Sequence, residues 1–198
     1  MKAVLIIFVK NRVPGKVKTR LAADLGDIRA LEVYEKLLKY TRSVMIEADT
    51  RNQVWFSGEV PDGNEWNKSA QKLMVQPTGN LGEKMSHAFR WNFEQGAEKV
   101  MIIGSDCAEI TSGHIKKAIT ALNDKDLVIG PAKDGGYYLL AMKTYYPEIF
   151  NGVDWSTSKV LMQTLNTAER LGLESVLLEE LNDVDELEDW NEVRHKFE

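Results

Sequence analysis

The stretch FVKNRVPGKVKTRLA, Phe8 to Ala22, holds Lys10, Arg12, Lys16, Lys18 and Arg20 and no carboxylate. Cations this dense repel one another unless solvent or an anion offsets them. Pro14-Gly15 sets a turn in which backbone amides can approach a ligand closely. A diphosphate suits that chemistry, because Arg offers a planar fork and Lys a mobile point charge. Lys10, Gly15, Lys18 and Arg20 are the candidate phosphate contacts; a solvated basic loop is the plain alternative. Two known phosphate signatures are absent: there is no GxGxxG, and GKVKT lacks the glycine that opens a P-loop.

Further stretches carry oxygen ligands. In GSDCAEI (104–110), Asp106 follows an apolar run directly, the place from which a carboxylate reaches a cleft on rigid support. Mg²⁺ or Mn²⁺ is commonly held by one or two carboxylates together with substrate phosphates, so Asp106 is the first candidate metal ligand. In DVDELEDW (183–190), Asp183 and Asp185 point the same way if extended, and one of them could complete that site. Asp185 also reads as a helix N-cap with Glu188 as its capping-box partner, and both readings stay open. Asp134 precedes Gly135 and Gly136, either as a turn or as a base beside a substrate lying on bare backbone. Asn80 and Gly82 stand at a helix entry where a base or ribose could rest. Trp155 either packs or lines an acceptor pocket, with Ser156 or Thr157 as N-cap of the following helix. Cys107, the single cysteine, has no neighbouring histidine to activate it and reads as a small buried side chain, and Glu109 as a surface residue.

These residues need elements to position them. The chain has 198 residues, 43 % hydrophobic and 28 % charged, enough for a packed core and against wholesale disorder. AVLIIFV (3–9) and KVMIIG (99–104) are continuous apolar runs, as in strands buried on both faces. QVWFS (53–57), KLMVQ (72–76), DLVIGPA (126–132), GYYLLAM (136–142) and ESVLLEE read as further strands. Helical spacing covers 28–47, 81–95, a stretch from Thr111 to Leu122, 156–171 and 185–197, and 58–68 is a loop insertion. Strand–helix alternation implies a three-layer α/β/α, Rossmann-like domain whose mixed sheet is mostly parallel. In such sheets ligands bind outside the carboxyl ends of the strands, where the loops quoted above lie.

Charge narrows the partners. The net charge is -5, which argues against a general nucleic-acid binder. The imbalance is local: residues 1–23 hold six basic side chains and no acid, and Glu179 to Glu192 hold eight acids and no base. The first apolar run is too short to span a bilayer and no cleavage region follows it, so a cytoplasmic protein without membrane insertion is expected.

Taken in order, VPGKVKTRLA, GNLGEKM, GSDCAEIT, GPAKDGGYYLL and WSTSKVLMQTL resemble a bacterial family of GT-A-fold proteins assigned as glycosyltransferases, some associated with arsenosugar biosynthesis. The resemblance spans residues 2 to about 190. More distantly the chain is similar to the molybdopterin and phospholactate guanylyltransferases. The resemblance implies the nucleotide-diphospho-sugar transferase fold with one antiparallel strand. It implies one GT-A-like domain over 1–198, with a nucleotide-binding half to about residue 105 and an acceptor-binding half after it. It implies that Gly15, Lys18 and Arg20 contact phosphates, that Asn80 and Gly82 lie near the nucleoside, and that Asp106 holds Mg²⁺ or Mn²⁺. Asp134, Gly135 and Gly136 would face the sugar or acceptor. The chain departs from the pattern in reading Ala108-Glu109 after Cys107, where proline and an acid are usual. The terminal DVDELEDW also lacks Thr-Pro. The expected activity is metal-dependent transfer of a sugar from a nucleotide-diphospho-sugar donor to a small-molecule acceptor. The alternatives are a nucleotidyltransferase that releases pyrophosphate and a nucleotide-sugar binding protein without turnover.

Overall fold

The computed structural model describes residues 3–198. Seven strands form one sheet: β1 (Ala3–Val9), β2 (Arg51–Phe56), β3 (Lys72–Val75), β4 (Lys99–Ile103), β5 (Leu127–Pro131), β6 (Tyr137–Met142) and β7 (Ser175–Leu177). Their order is β3-β2-β1-β4-β6-β5-β7. Only β6 runs antiparallel to its neighbours, with Ile103 paired to Leu139 and Leu127 to Met142. The remaining pairs are parallel, so the loops after β1 and β4 leave the same edge side by side.

Period-two alternation decides which helices cover which face. Leu5, Ile7 and Val9 of β1 pack with Met101 and Ile103 of β4 against one helix layer. That layer is α2 (Asp27–Ala48), through Tyr34, Leu38 and Met45, and α4 (Ser112–Ala121), through Ile115 and Ala118. Val4, Ile6, Val100 and Ile102 face the opposite layer. There α3 (Leu81–Glu94) contributes Met85, Ala88 and Phe89, and α5 (Val160–Arg170) contributes Ala168. A smaller third cluster joins Leu21 of α1 (Thr19–Leu25) and Val33 and Leu37 of α2 to Ala108, Val184 and Trp190, the last on α6 (Leu187–Val193). This cluster seats the acidic C-terminal segment against the basic loop.

Four local expectations change. The basic loop is shorter than the sequence suggests, because α1 begins at Thr19 and ends at Leu25, before Gly26, whose φ of 82° breaks the chain ahead of α2. The insertion at 58–68 holds a 3-10 turn, Glu65–Lys68, anchored by Trp66, 1 % exposed, and capped by Asn64, which accepts the Trp66 N–H at 3.0 Å. The helix expected from 156 starts at Val160. Ser156 adopts φ 63°, and the Thr157 hydroxyl donates to the Asp154 carbonyl, so 154–159 is a turn and neither Ser156 nor Thr157 is the N-cap. Finally, α6 is capped at Glu186 and not at Asp185, because Asp189 Oδ2 accepts the Glu186 N–H at 2.8 Å and the Asp185 N–H at 3.0 Å. Among the described residues no helix is long and apolar enough to cross a membrane.

Candidate active site

Lys18 sits at the junction of the basic loop and α1 with φ 48° and ψ 46°, a left-handed conformation uncommon for a side chain of its size. Its side chain is 3 % exposed, and its ammonium lies 3.0 Å from Asp106 Oδ1 and 3.2 Å from Asp185 Oδ1. Arg20, largely exposed, reaches Asp185 Oδ2 at 3.6 Å. Burial pushes the Lys18 pKa down, but the Asp106 and Asp185 carboxylates more than reverse this, and the net shift is upward. The ammonium is therefore a permanent charge.

Three links hold these groups in place. Tyr34, buried on α2, accepts the Lys10 N–H at 2.8 Å, and its hydroxyl lies 3.3 Å from Ser105 Oγ, so it ties the loop after β1 to the loop after β4. Burial and then the Asp106 carboxylate raise its pKa, which keeps the hydroxyl protonated. Next, the C-terminal segment crosses the β4 loop. Cys107 and Asp183 form an antiparallel bridge, Val184 N–H donates to the Asp106 carbonyl at 2.9 Å, and Asn182 N–H donates to Glu109 at 3.2 Å. Glu109 thus serves as a brace and not as a free surface acid. Third, Asp189 turns back onto that segment; burial raises its pKa, but the Glu186, Asn182 and Asp185 hydrogen bonds win and lower it. Asp185, released from capping, is free to face Lys18.

Asp183 adds a third carboxyl. Burial, then the Asp106 carboxylate, then Asp185 and Asp134 push its pKa up to about 7, against the opposing pull of Lys18. Three carboxyl groups thus crowd the Lys18 ammonium, with the exposed Arg20 guanidinium beside Asp185. Among the described residues no three His, Cys, Asp or Glu side chains converge closely enough to enclose a metal ion. Two carboxylates about one-third exposed and facing one cation do fit the partial, all-oxygen ligation in which Mg²⁺ or Mn²⁺ shares its sphere with phosphate. Asp106 and Asp185 are the residues that would hold it.

Two cavities meet at Lys10. A small one of about 170 Å³ is lined by Lys10, Lys18, Thr19, Arg20, Asp106 and Asp185. A larger one of about 700 Å³ lies between the loop after β1 and the 58–68 insertion, with Phe56, Leu38 and Trp66 among its apolar walls and Asn11, Arg12 and Arg42 among its polar ones. Arg12 turns this way, ion-paired with Glu65 and, at 3.9 Å, with Glu35. Asn11 holds the insertion by accepting the Gly58 N–H at 2.8 Å and donating to the Glu59 carbonyl at 2.7 Å.

The structure gathers Lys10, Lys18, Arg20, Asp106 and Asp185 around one cleft, with Gly15 in the turn that leads there at φ 72°. The other candidates have different neighbours. Asn80 and Glu83 form a reciprocal cap on α3, with hydrogen bonds of 3.0 and 2.8 Å. Gly82 lies under the Trp155 indole: a Cβ there would come within 2.5 Å of Trp155 Cζ2. Trp155 in turn stands edge-on to Tyr137, their ring centroids 6.5 Å apart. Asp134 is exposed, and its Oδ1 accepts the Gly136 N–H at 2.8 Å. Gly135, at φ 86°, lets the Ser158 backbone pass so closely that a Cβ would lie 2.7 Å from Ser158 Cα. Cys107 is buried, its pKa pushed up to about 12 chiefly by burial and then by Asp183. Asp183, named beside Asp185 in the sequence reading, lies next to the cleft as a buried carboxyl, whereas Tyr34 and Asp189 escaped that reading. The spacing DVDELED carried a signal for Asp189, but Tyr34 is one of several apolar-face residues of α2.

The sheet order and its layers match the fold of the nucleotide-diphospho-sugar transferases. The chain belongs to the family described as an uncharacterized protein conserved in bacteria (DUF2064), whose model matches residues 31–157. A crystal structure from Desulfovibrio desulfuricans G20, assigned to the nucleotide-diphospho-sugar transferases, is 31% identical, with a TM-score of 0.89 over 96% of this chain and 85% of that one. The 2-phospho-L-lactate guanylyltransferase of Methanocaldococcus vulcanius is 28% identical over 142 residues, 71% of this chain. The chain spans 62% of the length of that curated relative. A nucleotidyl transferase from Methanothermobacter thermautotrophicus shares the fold at a TM-score of 0.67 and 11% identity, covering 99% of this chain and 97% of its own.

Proposed function

We propose that this protein is a metal-dependent glycosyltransferase that moves a sugar from a nucleotide-diphospho-sugar to a small-molecule acceptor. One observation carries the reading: Lys18 and Arg20 meet Asp106 and Asp185 in a cleft that shares Lys10 with the wall of the larger cavity. Asp106 and Asp185 would hold Mg²⁺ or Mn²⁺, which when bound offsets the charge that develops on a departing nucleoside diphosphate. Lys18 and Arg20 add fixed positive charge to the same phosphates. The cavity beyond Lys10 has room for the nucleoside, and Gly135, Gly136 and Trp155 stand on the acceptor side of this reading. Asp134, with Oδ2 turned away from the Gly136 hydrogen bond, is the proposed base for the acceptor hydroxyl.

The guanylyltransferase relative favours a second reading, transfer of a nucleotidyl group from a nucleoside triphosphate to a phosphorylated acceptor. Both readings use the same cations and carboxylates. Incubation with Mn²⁺ and a panel of nucleotide sugars or nucleoside triphosphates separates them: released nucleoside diphosphate supports sugar transfer, and released pyrophosphate supports nucleotidyl transfer. Turnover that persists unchanged in Asp106→Asn refutes both. Affinity for nucleotide sugars without turnover of any donor leaves a binding protein.

A further inference from the structure

Lys18 is built into the metal-candidate carboxylates more tightly than phosphate contact alone requires. Its ammonium is within 3.0 Å of Asp106 and 3.2 Å of Asp185, and its side chain is buried while both carboxylates stay about one-third exposed. The backbone accepts a left-handed conformation at a non-glycine residue to put it there. A divalent ion binds carboxylate oxygens at roughly 2.0–2.1 Å for Mg²⁺. An ion on the two oxygens that Lys18 now contacts would draw on the same lone pairs and bring two positive charges close together, so the two cations compete for the carboxylate pair. Space for the displaced group adjoins it, since the small cavity has Lys18 on its wall together with Lys10, Thr19 and Arg20.

We propose that Lys18 is the resident counter-cation of the Asp106–Asp185 pair, that it competes with the divalent ion while the cleft is empty, and that it moves to phosphate when both metal and nucleotide arrive. The proposal rests on the reading that these carboxylates hold the metal. Its consequence is coupling. Metal alone binds weakly because Lys18 must be displaced into a cleft already rich in cations. A diphosphate gives the displaced ammonium a partner, so metal and diphosphate strengthen each other's binding by the same factor. The device keeps the carboxylates compensated between turnovers and reserves metal binding for the loaded cleft.

The test uses the intact chain and Mn²⁺ alone, with free Mn²⁺ followed by electron paramagnetic resonance. Lys18→Met is expected to bind Mn²⁺ about tenfold more tightly than the wild type, within the usual range for coupling between two ligands. Adding Asp106→Asn to Lys18→Met should abolish that gain. Equal or weaker binding by Lys18→Met overturns the proposal, even if Asp106→Asn shows that the metal site itself is real. No binding by wild type and Lys18→Met alike overturns the metal reading as well. If Lys18→Met does not fold, the wild type supplies the answer: the side-chain ¹⁵N resonance of Lys18 should shift as Mg²⁺ is added. A resonance that stays fixed while Mg²⁺ saturates the protein overturns the exchange.

Discussion

Replacing Gly82 by Ala separates a packing role from a ligand-contact role. On helix propensity alone the change should help, by up to roughly 1 kcal/mol in a helix interior and less in the first turn of α3. The structure opposes it. The new methyl would lie 2.5 Å from Trp155 Cζ2, with other indole atoms closer still, and the indole is itself lodged against Tyr137. Overpacking of this kind costs about 1–3 kcal/mol, so the net loss is about 1–2 kcal/mol. For a domain of this size that is a fall in Tm of roughly 2–8 °C. A double-mutant cycle makes the cause explicit. In a Trp155→Ala background the obstruction is gone, and Gly82→Ala should become neutral or stabilising, a coupling of about 2 kcal/mol. Thermal and urea unfolding of the four proteins measure it. If Gly82→Ala leaves Tm unchanged in the wild type yet abolishes nucleotide binding, the glycine touches the nucleotide and the packing argument is wrong.

Other outcomes follow from the same geometry. Gly135→Ala should destabilise by more than Gly82→Ala, about 3 kcal/mol, because its Cβ meets the Ser158 backbone and its φ of 86° strains any side chain; urea unfolding checks the order. Cys107 should resist Ellman's reagent at pH 8 in the native state and react fully on unfolding, since it is 4 % exposed with its pKa near 12; rapid native reaction contradicts this burial. Asp126 has a lowered pKa, owing first to the Glu174 N–H at 2.9 Å and, against burial, to Lys143 at 3.1 Å and Tyr146. A depressed carboxylate stabilises fully above its ordinary value of 3.8 and loses that contribution as the pH falls through its folded value. Asp126→Ala should therefore cost about 1–3 kcal/mol at pH 7 and progressively less below pH 3.8, as read by denaturation at several pH values.

Much of the frame is legible because burial on both faces leaves a plain mark. AVLIIFV and KVMII are apolar at every position or nearly so, and they become β1 and β4 at the centre of the sheet. Parallel pairing of neighbours then obliges the basic loop and the SD dipeptide to share an edge, which is why Lys18 and Asp106 meet. What resisted reading depends on single side chains acting over one residue or over the whole chain. The start of α6 was displaced from Asp185 to Glu186 because Asp189 takes two backbone N–H groups, a choice that Glu188 could equally have made by spacing. The short helix α1 carries only Leu21 into the core and looks like loop. Gly82 resembles a ligand-contact glycine until Trp155, distant in sequence, is seen above it.

The composition of the opening loop has a physical reason. A carboxylate inside the loop would pair locally with Lys18 or Arg20 at little entropic cost and leave them with no need of distant partners. Without one, these cations draw their acids from the loop after β4 and from the C-terminal segment. Arg12 draws its acids from α2 and the 58–68 insertion. Four segments outside the loop are thereby fastened at the carboxyl edge of the sheet. Exposed pairs such as that of Arg20 contribute little to stability, whereas the buried Lys18 cannot lose either acid without leaving charge poorly compensated in the interior. Under the proposed exchange, the buried link that holds the cleft together is also the one that metal and phosphate would rearrange, which would tie assembly of the site to its loading.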